Sequence, residues 1–302
     1  MRRAVVPSLA KINLDLRVLY KRPDGFHELR TVFQTISLGD RIGIDYTPGP
    51  KTSIEIAGNV DIPNNLIVRA AEAVLKATKA KGAVQFQLNK RIPMGGGLGG
   101  GSSNAAAVLL ALPVLLGKPL KPAKLHELAS ELGSDVPFFL YGGTALGLGR
   151  GTELFPLADA PPARGLLVAP PIHVSTPEAY KALNREPGSA APAVYFDPAD
   201  WAATGTNDFE AAVYAQHPEL KRIAARMKRG GAATVRMSGS GSSIFSIFSG
   251  KTAEAMALQQ FKGFPVHPVE FVSRRRYQSL WWNCLKSHTL VKEWPPRSRY
   301  EQ

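Results

Sequence analysis

Between Asn89 and Ala105 the chain reads Lys-Arg-Ile-Pro-Met-Gly-Gly-Gly-Leu-Gly-Gly-Gly-Ser-Ser-Asn, with six glycines in the seven positions 95–101. Such a run forms neither a helix interior nor a strand interior, because glycine loses the most backbone freedom on folding. Val84, Phe86 and Leu88 alternate as a strand before it, and the apolar run Ala105–Leu116 follows it as a helix. A glycine loop between strand and helix can turn several backbone N–H groups onto one anion, and the helix N-terminus adds roughly half a positive charge. The candidate anion-binding residues are therefore Pro93, Met94, Gly95, Gly96, Gly97, Leu98, Gly99, Gly100, Gly101, Ser102 and Ser103, with Ser102 expected to cap the helix. A flexible linker or tight turn is the plain alternative. The surrounding charge weighs against it: from residue 73 to 126 there is no Asp or Glu, but there are eight Lys and Arg.

The loop is not a Walker A motif, which ends in Gly-Lys-Ser/Thr. Gly95-x-Gly97-x-x-Gly100 matches the dinucleotide fingerprint, but that site needs glycines directly after the strand and an acid roughly 20 positions on. Here six residues intervene, and no acid follows the loop before Glu127. The net charge of +13 fits a polyanionic partner. One cysteine, Cys284, excludes a disulfide framework and a multi-cysteine zinc site, and the six histidines form no metal-binding pair, so no residue is assigned as a metal ligand. The longest apolar run, 12 residues, is too short to span a membrane, and no signal-like segment opens the chain; a cytoplasmic location is expected.

The remaining pattern is mixed α and β. Strands are expected over 9–19, 32–38, 42–46, 84–88, 144–148, 165–169, 233–237, 244–249 and 266–272. Helices are expected over 65–80, 102–116, 122–132, 207–216, 218–227 and 252–261, with a loop over 186–198. Prolines at 156, 161 and 162 suggest a lobe boundary there.

Four motifs resemble those of one family of small-molecule kinases. Pro93–Asn104 resembles the phosphate loop of the GHMP kinases. Ala10-Lys-Ile-Asn-Leu14 with Lys21-Arg-Pro-Asp-Gly-Phe-His-Glu-Leu29 resembles the N-terminal signature of one branch. Leu132–Phe139 resembles its catalytic segment, and Arg236–Ser243 its third, Gly/Ser-rich motif. The resemblance runs from about residue 8 to 272. It implies an α+β, two-lobed fold. Residues 1–160 would form an ATP-binding lobe like the second domain of ribosomal protein S5, residues 161–272 a ferredoxin-like lobe, and 273–302 a basic, Trp-rich tail outside the pattern.

The resemblance also implies an activity: ATP- and Mg²⁺-dependent phosphorylation of the 2-hydroxyl of a cytidine diphosphate methylerythritol, in the non-mevalonate isoprenoid route. Phosphoryl transfer needs positioning and charge neutralisation more than covalent chemistry. Asp135, after Gly133 and before Val-Pro-Phe-Phe, would be the base. Lys11, on the expected strand, would be its electrostatic partner. Asn13, two positions on and on the same face, would hold substrate. Taken alone, Lys11 reads as a solvated strand lysine and Asp135 as a helix cap. Phe26 would stack on the base and His27 bond its edge, although the family more often has Tyr where Phe26 stands. Thr176 and Tyr180 would form the opposite wall. Asn207 or Asp208 reads as an N-cap.

The tail carries three of the four tryptophans and a net charge of +5. Three readings stay open for it: a nucleic-acid or anionic surface, a helix packed on the protein, or an extension of little consequence. Two rivals complete the picture, a GHMP kinase with another acceptor and a nucleic-acid-binding protein that keeps the first lobe.

Overall fold

The computed structural model describes residues 1–184, 201–261 and 264–300, side chains at 203, 252 and 253 excepted. The expected loop over 186–198 lies outside them.

Strands β1 (Arg2–Lys21) and β2 (His27–Pro48) form one long antiparallel hairpin. They exceed the expected strands because even their polar ends pair, Arg2 with Tyr46 and Lys21 with His27. The free edge of β2 is shared. Its residues 41–48 pair with β4 (Gly82–Asn89), and residues 29–34 pair with β5 (Thr144–Gly149). Strand β3 (Ser53–Gly58) lies parallel to β4, reached through helix α1 (Leu66–Thr78), and β6 (Glu153–Pro156) closes the other edge.

Helix α2 (Gly100–Leu116) is buried on every side from Ser103 to Leu116, which is why its sequence carries no polar face. Its start corrects one expectation. Ser102 is not the cap: Gly99, left-handed at φ 66°, ends the loop, and Ser102 lies in the first turn. Helix α3 (Pro122–Leu132) packs beside it.

The second sheet contains β7 (Arg164–Val168), β8 (Thr234–Met237), β9 (Ile244–Phe248) and β10 (Val266–Glu270), in the order β10-β7-β9-β8. Between β7 and β8 lie α4 (Thr176–Leu183), α5 (Trp201–Thr204), α6 (Phe209–Gln216) and α7 (Pro218–Arg229); α8 (Lys251–Gln260) joins β9 to β10. This split β-α-β order is the ferredoxin-like arrangement, so the two-lobed α+β fold is the one observed. The lobes are not cleanly separable along the chain. Leu16 and Val18 of β1 pack in the second core, and Ile12 and Leu14 pack with Leu167 and Phe245 between the sheets.

The tail is a packed element. Helix α9 (Arg274–Leu285) buries Tyr277, Trp281 and Leu285, spaced four apart, in the first core. The Tyr277 hydroxyl donates to the Phe139 carbonyl at 2.6 Å, and the Trp294 indole N–H donates to the Leu140 carbonyl at 3.0 Å. Among the described residues, no helix is long and apolar enough to cross a membrane.

Candidate active site

Besides a slip between Val18 and Tyr20, the ladder between β1 and β2 slips between Leu9 and Lys11 and between Asn13 and Asp15. Such bulges re-aim side chains, and Lys11 and Asn13 lie in the short register between the latter two. Both line a cleft cavity of about 200 Å³, while Ile12 between them points into the core. Lys11 is only 4% exposed, and a buried ammonium needs partners. It donates to the Asn13 side-chain oxygen at 2.9 Å and lies 3.4 Å from the Asp135 carboxylate. Asn13 is held in turn: its amide nitrogen donates to the Thr31 hydroxyl at 2.7 Å, and its oxygen also accepts the Gly239 N–H at 2.9 Å.

Asp135 is presented by a rigid base. Val136 and the 3₁₀ turn Pro137–Leu140 are fully buried, with Phe138 against Phe33. The carboxylate does not cap that turn, which has no side-chain cap bond. It stays one-third exposed in the cavity, with Lys11 as its ion-pair partner. The lysine is therefore not a solvated strand residue and the aspartate not a helix cap.

The glycine loop crosses the same cleft. Gly95, Gly97 and Gly99 are left-handed, at φ 71°, 75° and 66°, and the Leu98 carbonyl accepts the Lys11 backbone N–H at 3.0 Å. The third motif locks onto the loop: the Ser238 hydroxyl donates to the Gly97 carbonyl at 3.0 Å and the Ser243 N–H to the Gly96 carbonyl at 3.3 Å. Asn207 supports it, donating to the carbonyls of Met237 and Gly239, both at 2.8 Å, while its oxygen accepts the Phe209 N–H at the start of α6.

Met94 is 61% exposed, and Pro93 and Ser102 are half-buried. Ser103 is turned inward instead. It is buried, its hydroxyl donates to the Leu9 carbonyl at 2.7 Å, and its N–H is taken by the Gly99 carbonyl. It braces the loop and does not face the cleft.

Sequence reasoning missed what holds the loop from below. Asp40, fully buried, accepts the Arg91 and Ile92 N–H groups at 2.7 and 2.8 Å and pairs with Lys90 at 2.5 Å. Asn104 donates to the same carboxylate at 2.8 Å. Asp40 and Lys90 stand 50 residues apart with no local pattern.

An outer cavity of about 700 Å³ adjoins the cleft and is lined by Phe26, His27, Thr176 and Tyr180. Phe26 is 48% exposed, with the Arg150 guanidinium 3.6 Å from its ring centre. His27 stacks on Tyr180 at 4.6 Å between centroids, and Tyr180 meets the edge of Phe209 at 4.9 Å. The Thr176 and Ser240 hydroxyls are 2.9 Å apart. Burial, with a smaller push from Lys21, lowers the His27 pKa and favours a neutral ring. Burial, aided by the charge of Asp135, pushes the Tyr180 phenol up to about 12. Arg150, in a Gly-Arg-Gly turn, gave no signal in the sequence.

A two-lobed α+β frame, two interlocked Gly/Ser loops and a lysine–aspartate pair beside them are the parts that phosphoryl transfer calls for: a phosphate cradle, a cation and a carboxylate. The pattern described as GHMP kinases N terminal domain matches residues 65–143, and GHMP kinases C terminal matches 197–263. The 4-diphosphocytidyl-2-C-methyl-D-erythritol kinase of Solibacter usitatus is 50% identical over 99% of this chain and 98% of its own. The kinase of that name from Pelotomaculum thermopropionicum is 42% identical over 79% of this chain and 86% of its own. A crystal structure of 4-(cytidine 5'-diphospho)-2C-methyl-D-erythritol kinase superposes with a TM-score of 0.76 at 35% identity, covering 88% of this chain and 98% of that one. The homoserine kinase of Cytophaga hutchinsonii, 18% identical with a TM-score of 0.69 over 91% of this chain and 96% of its own, shares the fold. The chain belongs to the GHMP kinases, ATP-dependent small-molecule kinases, and within them to the family of its 4-diphosphocytidyl-2-C-methyl-D-erythritol kinase relatives.

Proposed function

We propose that this protein transfers the γ-phosphoryl group of ATP to the 2-hydroxyl of 4-diphosphocytidyl-2-C-methyl-D-erythritol, in the cytoplasm. The observation that carries the reading is the Lys11–Asp135 pair at 3.4 Å, in a cleft that joins the glycine loop to an aromatic-lined outer cavity. The loop backbone from Pro93 to Ser102 and the N-terminus of α2 take the phosphates of ATP. The outer cavity takes the cytosine, between Phe26 and the His27–Tyr180 stack, with Thr176 at its edge.

In the transfer, the Asp135 carboxylate accepts the proton of the substrate hydroxyl. The freed oxygen attacks the γ-phosphorus in line, the bond to the β-phosphate oxygen breaks, and ADP leaves. Lys11 neutralises charge on the entering oxygen, and Asn13 fixes the Lys11 ammonium and the hydroxyl side of the acceptor. No covalent phosphoenzyme is needed.

Mg²⁺ fits this donor set. This ion generally needs only one or two protein oxygens beside substrate phosphates, and would need no all-protein cage here. Among the described residues there is no cluster of three or more His, Cys, Asp or Glu. The Asp135 carboxylate, partly open to the cavity, and the half-buried Ser102 hydroxyl are the oxygens that would hold it. When bound, the ion neutralises phosphate charge.

The test is ADP release by the purified protein with ATP, Mg²⁺ and the cytidyl acceptor, with homoserine and mevalonate as controls. Turnover with the cytidyl acceptor alone is expected. Turnover with a control alcohol, and none with the cytidyl compound, would sink the assignment.

A further inference from the structure

The cleft and the outer cavity share five lining residues: Leu29, Asp135, Arg150, Thr176 and Tyr180. Arg150 is the one cation among them. Lys11 lines only the inner cavity and is engaged with Asn13 and Asp135, whereas Lys21 and Lys181 line only the outer one. Arg150 projects from the tight turn between β5 and β6, where Gly149 and Gly151 are left-handed at φ 65° and 87°.

The Arg150 side chain is poised and unspent. Its guanidinium carbon lies 3.6 Å from the Phe26 ring centre, and its buried Nε has no hydrogen-bond partner. The acid that feels its charge, Asp24, is itself paired with Arg22 at 3.2 Å. A guanidinium laid on an aromatic face keeps its in-plane N–H fork free for a phosphate, which it can grip in bidentate fashion. Phe26 has a second face, so holding Arg150 on one side leaves the other for a base.

We infer that Arg150 binds the diphosphate bridge of the acceptor substrate, with Phe26 as its platform; this rests on the acceptor proposed above. An acceptor with its base in the outer cavity and its reacting hydroxyl at Asp135 must carry its diphosphate past the junction of the two cavities. That junction is where Arg150 stands. The residue thereby selects nucleoside-diphosphate-linked alcohols over free polyols, a task that neither Lys11 nor Asp135 performs.

The experiment compares calorimetric binding of cytidine and CDP to the full chain, as wild type, Arg150→Met and Arg150→Lys, each checked by thermal melting. Arg150→Met is expected to weaken CDP by about tenfold to a hundredfold, the scale of a charge-assisted hydrogen bond, and cytidine by less than about twofold. Arg150→Lys keeps the charge without the fork and should fall between. In turnover, KM for the cytidyl acceptor rises while KM for ATP stays. Equal loss of cytidine and CDP would overturn the inference, because Arg150 would then act only through the Phe26 ring. So would a rise confined to the KM for ATP. If wild-type protein neither prefers CDP to cytidine nor turns over the cytidyl acceptor, the acceptor reading itself fails, an outcome distinct from a variant effect.

Discussion

Gly97 and Ser238 hold the two lobes' loops together. The Ser238 hydroxyl donates to the Gly97 carbonyl at 3.0 Å, and a Cβ at Gly97 would meet the Ser238 carbonyl oxygen at 2.1 Å. Gly97 also sits at φ 75°, where a side chain is strained. Gly97→Ala is expected to cost about 1–3 kcal/mol from the backbone alone, and to raise KM for ATP by prising the loops apart. Gly101→Ala is the control, since its nearest neighbour is the Leu66 methyl at 3.5 Å. It should melt like wild type; urea melts of the two variants side by side make the check.

Beneath the loop, Asp40 is the anchor of a buried network. Asp40→Asn leaves Lys90 buried, with no carboxylate to pair with. The expected loss of stability is about 3–5 kcal/mol, with the segment Lys90–Ile92 loosened and ATP affinity reduced. An Asp40→Asn protein as stable as wild type would remove this network from the account.

The tail stabilises the first lobe. Trp281 is fully buried beside Tyr277 and Trp294. Trp281→Ala should cost about 3–5 kcal/mol, read as a fall in urea midpoint, while the KM of the remaining folded enzyme for either substrate is unchanged.

The legibility of these features follows range. Ile12, Leu14, Leu16 and Val18 alternate, so the centre of β1 could be read locally. Its ends, Arg2 and Lys21, are strand only because β2 pairs with them. The glycine loop, Lys11, Asn13 and Asp135 could be singled out because the motifs that carry them resemble, in order and spacing, those of one kinase family. Ser103 was misplaced because a hydroxyl one position past Ser102 looks equivalent in sequence, yet a helix turns it about 100° further, into the core. Arg150 and the Asp40–Lys90 pair are single polar residues whose meaning lies in contacts tens of residues away. The apolar positions of α9 stand four apart, a helical spacing, but only the packing against the first core separates a buried face from the basic surface that three arginines at its start also suggest.

His27 offers a pH test. Its pKa is lowered, by burial first and then by Lys21, so its neutral form persists below the ordinary histidine value of about 6.5. The folded protein disfavours the charged ring, so stability and base binding conferred by neutral His27 are present above about pH 6.5 and lost as pH falls through the lowered value. Cytidine affinity should stay flat from pH 8 to about 6.5 and weaken only in more acid buffer; a loss beginning near neutrality would contradict this.

The central claim is that Asp135 and Lys11 act as one unit on the acceptor hydroxyl. The direct measurement is kcat with ATP and the cytidyl acceptor for Asp135→Asn, Lys11→Met and the double variant. Each single change should lower kcat by about 10²- to 10⁴-fold with KM for ATP nearly unchanged. The double variant should lose little more than the worse single, because coupled residues are not additive. Asp135→Asn turning over at the wild-type rate, or losses that multiply, would contradict it.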